Sequence, residues 1–283
     1  MSLKIKRRDL ESRIVKLKSA LVAFSGGIDS TLVLTIANNV LNGRVLAVTA
    51  ESDSVPEREL KAAQHLALTL GIQHKVIRTE EMASFNYLKN PTNRCYYCKS
   101  ELYSKLAKVA NEHAMASILN GINSDDLGDH RPGITASKEA GIISPLVESE
   151  FTKQDVRDLA HEVGLPNWEK PALACLSSRI PYGQPVTTKK LSMIEQAEEA
   201  LLSEGFKQVR VRHYGDTASI EVPNKDIPSL SKKTFFENIS RHLKIIGFKY
   251  VKVDPKGYRP GSLNEALSLN DKQAFQNEKK VAG

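Results

Sequence analysis

The sequence predicts an α/β protein, a doubly wound parallel sheet followed by a smaller C-terminal α+β domain. Three observations carry that expectation. Apolar runs of strand length alternate with stretches of helical spacing over residues 20–146. Glycines fall where those helices should end. Beyond residue 185 the order changes to helix, strand, strand, helix, strand.

Element by element, the opening MSLKIKRRDLESRIVKL reads as a charged amphipathic helix rather than a secretory signal. Strands are expected at 20–24, 44–50, 74–78 and 117–121, and helices at 31–41, 57–70 and 99–113, with Gly43 and Gly71 as C-caps. A further helix starts near Thr152 and is stopped by Gly164-Leu165-Pro166. Residues 167–185 lose periodicity and carry Pro171, Pro181, Gly183 and Pro185, so the domain boundary is placed there: 1–184 and 185–283. The second domain holds helices at 188–203 and 235–246 with strands at 208–213, 218–222 and 250–253, similar to part of a ferredoxin-like sandwich.

Forty Lys and Arg against 33 Asp and Glu give a formal charge of +7, which suits an anionic partner without choosing one. No basic run is interleaved with aromatics, which argues against a nucleic-acid partner. No apolar run approaches a membrane span, so no membrane partner and a cytoplasmic protein are expected. In a reducing cytosol three cysteines are not a disulfide framework, and each needs its own explanation.

The tract Ser25-Gly26-Gly27-Ile28-Asp29-Ser30 joins the first strand to a helix. Such a junction aims backbone N–H groups and the positive helix pole at one point, which favours an anion. Glycines let the backbone approach it, and the Ser25 and Ser30 hydroxyls add donors. Asp29 suits holding the loop or a metal counter-ion better than a bare phosphate. The spacing is neither that of a P-loop ATPase nor that of a dinucleotide fold. It resembles the SGGxDS signature of the PP-loop ATP pyrophosphatases, whose fold is the adenine nucleotide alpha hydrolase type. That resemblance implies splitting of ATP between the α and β phosphates and adenylation of a substrate oxygen. A glycine-rich turn capping a helix is the alternative.

Cys95-Tyr96-Tyr97-Cys98 is expected in a loop just before a helix. Two thiols at this spacing can grip one metal or cluster edge, form a redox pair, or pack as small hydrophobes. Cys175 lies in an irregular segment that also carries Ser177, Ser178 and Arg179. Three thiolates without a fourth do not complete a closed zinc site; they suit a [4Fe–4S] cluster with one iron open.

The ordered set SGGIDS, Ala50-Glu51-Ser52, Arg94-Cys-Tyr-Tyr-Cys-Lys99, the stretch from Asn120 to Gly133, Ser144-Pro-Leu146, the stretch from Ala174 to Gly183 and Val209-Arg-Val-Arg212 resembles the LarE family over about residues 12–265. The resemblance implies an ATP-dependent sulfurtransferase that adenylates a carboxylate of pyridinium-3,5-biscarboxylic acid mononucleotide and converts it to a thiocarboxylate. This reaction belongs to the biosynthesis of the nickel-pincer nucleotide cofactor of lactate racemase. It implies that Ser25, Gly26, Gly27, Asp29 and Ser30 hold the ATP phosphates, with Asp29 and Ser30 catalytic, that Ala50 faces the adenine, and that Gly121 reaches the same crevice. Asp125, Asp126 and Asp129 are candidate Mg²⁺ ligands, with a solvated acidic turn as the alternative. Ser178, Glu198, Arg210 and Arg212 are expected near the nucleotide phosphate, and Arg179 and Cys175 at the reacting centre. For Glu198 the alternative is a solvated helix surface; for the two strand arginines it is a solvent-facing strand.

Family members of one type sacrifice the sulfur of a single cysteine, whereas those of the other hold a [4Fe–4S] cluster on three. Cys95, Cys98 and Cys175 resemble the second type, and the first stays open for Cys175. The expected partner is a small nucleotide substrate, and the chain is expected to form a homo-oligomer. The runner-up function is a tRNA thiolase of the same superfamily with three cluster cysteines. A non-catalytic nucleotide sensor and an amidating PP-loop enzyme use no thiols.

Overall fold

The structure is a computed structural model that describes residues 1–128, 132–172, 174–259 and 261–263. The chain runs α1 (Leu3–Val15), β1 (Ala20–Ala23), α2 (Ile28–Val40), β2 (Val45–Glu51), α3 (Glu57–Thr69), β3 (His74–Arg78) and α4 (Phe85–Leu88). It continues with α5 (Arg94–Glu112), β4 (Ser117–Leu119), α6 (Pro132–Glu139), α7 (Pro145–Glu148), α8 (Lys153–Glu162) and α9 (Thr188–Ser203). The remaining elements are β5 (Arg210–Tyr214), β6 (Thr217–Glu221), α10 (Ile227–Leu230), α11 (Lys233–Ile246) and β7 (Tyr250–Val253), with short 3-10 turns between. The chain divides into two compact units, Met1–Ser84 with Asn93–Leu173, and Phe85–Thr92 with Ala174–Gly283.

In the first unit, among the described residues, four parallel strands lie in the order β3-β2-β1-β4. Side chains alternate across a strand, and here both faces are apolar. Ala20, Val22, Val45 and Ala47 pack against α1, α2, α3 and α8 through Leu10, Ile14, Leu32, Ile36, Ala63 and Leu159. Their neighbours Leu21, Leu46 and Val48 pack on the other side against Tyr103, Leu106 and Val109 of α5 and Ala136 of α6. This two-sided burial is the doubly wound arrangement expected from the sequence. Gly71 follows the C-cap of α3 at φ +64°, the left-handed conformation that ends a helix; after α2 that place is taken by Asn42 at φ +52°, with Gly43 one residue further on at +77°.

In the second unit β5 and β6 form an antiparallel hairpin and β7 adds parallel to β6. Helices α9 and α11 cover one face, where Met193, Ala197, Leu201, Ile239 and Leu243 meet Val211, Ala218 and Ile220. Val211 and Ala218 therefore point at the helices, and Arg210, Arg212 and Glu221 belong to the opposite face.

The unit boundary differs from the expected one at 184/185. Residues from Ala174 onward belong to the second unit because Arg179, 1% exposed, is bound to Glu198 of α9, and they are joined there by the detour 85–92. In that detour the Tyr87 hydroxyl lies 2.6 Å from Ser177 Oγ, and buried Asn90 donates through Nδ2 to the carbonyls of Ile180, Pro181 and Gln184. Prolines disrupt helical periodicity whichever unit they fold with, so they mark an irregular segment rather than a domain edge.

Candidate active site

Strand β1 leads through Phe24 into the tract Ser25–Ser30. Phe24 stays in register by donating its N–H to Val48 O at 2.8 Å, and its own carbonyl accepts the Thr49 hydroxyl at 2.8 Å. Thr49 Oγ1 also lies 2.7 Å from His74 Nε2. Since the hydroxyl proton goes to Phe24, His74 must supply the proton of that contact, which makes it the Nε2–H tautomer. Burial holds the His74 imidazole below its usual value, in keeping with a neutral ring. Strands β2 and β3 are thus tied, through Thr49 and His74, to the residue that launches the loop.

Gly26 adopts φ +69°, and a Cβ there would stand 3.0 Å from Ala63 Cβ of α3. Both the left-handed backbone and the close approach require glycine. Gly27 is the N-cap of α2, its carbonyl accepting the hydroxyls of Ser30 at 3.0 Å and Thr31 at 2.8 Å. The Ser25 and Ser30 hydroxyls lie 3.2 Å apart. Asn167 donates through Nδ2 to Gly26 O at 3.2 Å and Thr31 Oγ1 at 3.0 Å, holding the loop from below. The only acidic residue of the first turn of α2 is Asp29.

Asp29 is held on both oxygens. Oδ1 accepts Asn123 Nδ2 at 2.9 Å and Oδ2 is ion-paired with Lys153 Nζ. Asn123 and Lys153 are themselves fixed by the turn after β4. Asp126 accepts the Asn123 N–H at 3.1 Å, Asp125 N donates to Asn123 Oδ1 at 3.0 Å, and Lys153 N donates to Asp125 Oδ2 at 2.8 Å. Asp125 and Asp126 thus organise the turn. Asp129 lies outside the described residues. Gly121 crosses the start of α2 so closely that a Cβ would fall 2.6 Å from Ser30 N. Ala50, half-buried, is the penultimate residue of β2 at the same carboxyl end of the sheet.

Because of that crossing, Gly121→Ala is expected to displace the loop, costing about 1–3 kcal/mol in stability and weakening ATP binding. Gly128→Ala, where an added Cβ meets nothing within 4 Å among the described residues, is expected to change neither. Melting curves and ATP titrations of both variants check this; unaltered ATP affinity in Gly121→Ala would remove the crossing from the site.

The cysteines correct one expectation. Cys95 and Cys98 are not in a loop before the helix but in the first two turns of α5, which begins at Arg94. They stand three residues apart and so share a face. Gly133, in α6, allows a close approach there: its Cβ would lie 3.0 Å from Lys99 Cγ and 3.6 Å from Cys95 O. None of the three cysteines is in a disulfide, and each is partly exposed.

In the second unit the polar residues expected near a phosphate form a buried network. Arg179 grips Glu198 with both arms, Nε to Oε1 at 2.8 Å and Nη2 to Oε2 at 3.1 Å. Its Nη1 donates to the carbonyls of Ala174 at 2.8 Å and Cys175 at 2.9 Å and to Ser178 Oγ at 2.9 Å. Glu198 is 0% exposed and also accepts Val211 N, so it is not a solvated helix residue. Burial alone would push its carboxyl up; the charge and hydrogen bond of Arg179 outweigh that and hold it below the usual range. Arg212, 6% exposed, forms a second bidentate pair with Glu221 at 3.0 and 2.8 Å and donates to Ser178 O at 2.7 Å. It is not on a solvent face either. Arg210 lies over the Tyr258 ring at 5.5 Å, and its guanidinium is pulled below its usual value by burial and by the Arg179 charge.

Comparison with known proteins decides the family. The family pattern described as "Queuosine biosynthesis protein QueC" matches residues 19–90, the stretch that holds the loop and the first three strands. An uncharacterized protein of Synechocystis is 43% identical over 94% of this chain and 99% of its own length. The pyridinium-3,5-bisthiocarboxylic acid mononucleotide synthase of Lactiplantibacillus plantarum is 39% identical over 94% of this chain and 96% of its own. The chain belongs to the LarE family. A glutamine-hydrolyzing GMP synthase chain of Archaeoglobus fulgidus is more distant, 23% identical over 67% of this chain and 66% of its own.

As a LarE-family chain it carries loop-positioning residues that the SGGIDS motif does not contain. Asn123 lies inside the family-like stretch from Asn120 to Gly133, but nothing in its identity marks it as a partner of Asp29. Lys153 and Asn167 lie outside every motif, and only the turn of the chain back to the loop reveals them. For a three-thiolate cluster, Cys95 and Cys98 fit as a pair of ligands on one helix face, and Cys175 belongs to the other unit. Among the described residues no group of three or more His, Cys, Asp or Glu is placed to hold a metal ion, and no helix is long and apolar enough to cross a membrane.

Proposed function

We propose that this protein is an ATP-dependent sulfurtransferase that converts a carboxylate of pyridinium-3,5-biscarboxylic acid mononucleotide into a thiocarboxylate, releasing AMP and pyrophosphate. The observation that carries the reading is the match along nearly the whole chain to the bisthiocarboxylic acid mononucleotide synthase of Lactiplantibacillus plantarum. The open pole of α2, built as an ATP pyrophosphatase needs it, supports the activation half.

A carboxylate is a poor electrophile, since its charge repels nucleophiles and its oxide leaves badly. Adenylation converts that oxygen into part of a phosphate leaving group. Ser25, Gly26, Gly27 and Ser30 receive the phosphates, and the backbone N–H groups of α2 oppose the charge that builds on pyrophosphate. Asp125, Asp126 and Asp129 offer the hard oxygens that suit a magnesium ion arriving with ATP. Arg210 and Arg212 are proposed to meet the substrate phosphate, while Arg179 and Glu198 set the backbone of Cys175 and Ser178. We assign Cys95, Cys98 and Cys175 to a [4Fe–4S] cluster, which when bound supplies the transferable sulfide.

The test is to mix anaerobically purified protein with ATP and the biscarboxylic nucleotide. AMP and pyrophosphate should form together with a product heavier by the exchange of one oxygen for sulfur. Pyrophosphate release that depends on tRNA instead, with thiolated RNA as product, would replace this reading with that of a tRNA thiolase.

A further inference from the structure

Lys153 stands in an unusual electrostatic position. It is the first residue of α8, whose own positive pole is served by the Thr152–Asp155 capping box, with Lys6 Nζ 2.7 Å from Asp155. Its backbone is held by Asp125 and its ammonium reaches back to Asp29 in the first turn of α2. A helix N-terminus carries about half a positive charge and disfavours a cation. Asp29, the sole acid of that turn, is cancelled by Lys153, so the pole of α2 keeps its own positive charge for an incoming anion. The pair is not sealed, with side chains 28% and 21% exposed. A lysine is a point charge on a flexible stem, able to leave one anion for a stronger one.

We infer that Lys153 is a catalytic residue that binds the β- and γ-phosphoryl oxygens of ATP and stabilises the departing pyrophosphate. In the resting protein it is parked on Asp29. When the phosphate chain settles on the pole of α2, the ammonium transfers to a phosphoryl oxygen and keeps its protons. The substrate carboxylate oxygen then bonds to the α-phosphorus. The bond from that phosphorus to the α–β bridging oxygen breaks, and its electron pair leaves with pyrophosphate, where Lys153 meets it. Asp29 is left with Asn123, which holds its other oxygen.

The inference rests on the loop being a nucleotide site, so the test separates the two. Binding of AMP, ATP and inorganic pyrophosphate is measured by calorimetry for the wild type, Lys153→Met and Lys153→Arg. Lys153→Met should lose about tenfold or more in affinity for ATP and pyrophosphate, as expected for one charge-assisted hydrogen bond. Its affinity for AMP should change by less than about twofold on the same reasoning, and Lys153→Arg should recover part of the loss. A strut that merely holds Asp29 would weaken all three ligands alike or none, and either result overturns the inference while leaving the nucleotide site standing. Wild-type protein that binds none of the three overturns both. Should Lys153→Met melt below the assay temperature, Lys153→Arg against wild type gives the same comparison.

Discussion

Cys175→Ala is expected to abolish sulfur insertion completely while AMP and pyrophosphate still form. The backbone around this residue does not depend on its thiol. The Cys175 carbonyl accepts Ser178 Oγ at 2.7 Å, Ser178 N at 3.0 Å and Arg179 Nη1 at 2.9 Å, and every one of these bonds survives truncation to alanine. The loss is therefore chemical rather than structural. If the three cysteines are ligands together, Cys95→Ala and Cys98→Ala behave the same way, wild-type protein carries about four irons per chain, and the intact polypeptide mass is unchanged by turnover. A sacrificial cysteine gives a different pattern: protein lighter by about one H₂S after reaction, no iron after anaerobic reconstitution, and one turnover retained by the Cys95 and Cys98 variants. Iron analysis and intact mass before and after reaction separate the two.

Glu198→Ala is expected to destabilise the second unit by about 3–5 kcal/mol, the usual result of leaving one partner of a buried ion pair behind. Arg179 is 1% exposed, and its Nε and Nη2 both rely on that carboxylate. The N–H of Val211 loses its acceptor as well. Glu198→Gln keeps the shape and some of the hydrogen bonds and should cost less. Urea unfolding of the full chain reads the difference as a lowered midpoint. A cost of under about 1 kcal/mol for alanine, the level of an exposed pair, would mean that water reaches the guanidinium in solution.

The parallel sheet was legible because its strands are buried on both faces and so appear as continuous apolar runs such as Ala20-Leu21-Val22-Ala23. The loop was legible because glycine, serine and aspartate have few other reasons to stand together between a strand and a helix. Helix α5 was read too short, since the aromatic and thiol-bearing Arg94-Cys-Tyr-Tyr-Cys does not look helical on its own and takes its conformation from packing. Glu198 could not be told from a surface glutamate by its spacing in α9, because burial of a charge depends on a partner nineteen positions away in the chain. Lys153 was invisible for the same reason: a lysine at a helix start follows no pattern, and its meaning comes from Asp29, brought to it by the turn after β4.

The detour 85–92 has a consequence for the gene as well as the protein. The chain passes from one unit to the other at three places, 84/85, 92/93 and 173/174, so the first unit is not one continuous stretch and neither is the second. A fragment beginning at Ala174 leaves behind Asn90, whose amide closes the carbonyls of Ile180, Pro181 and Gln184, and Tyr87, whose hydroxyl meets Ser177. The two units are therefore not interchangeable cassettes. Recombination that moved either one as a block would cut through the other, and the halves are bound to be inherited, and to evolve, as a single piece.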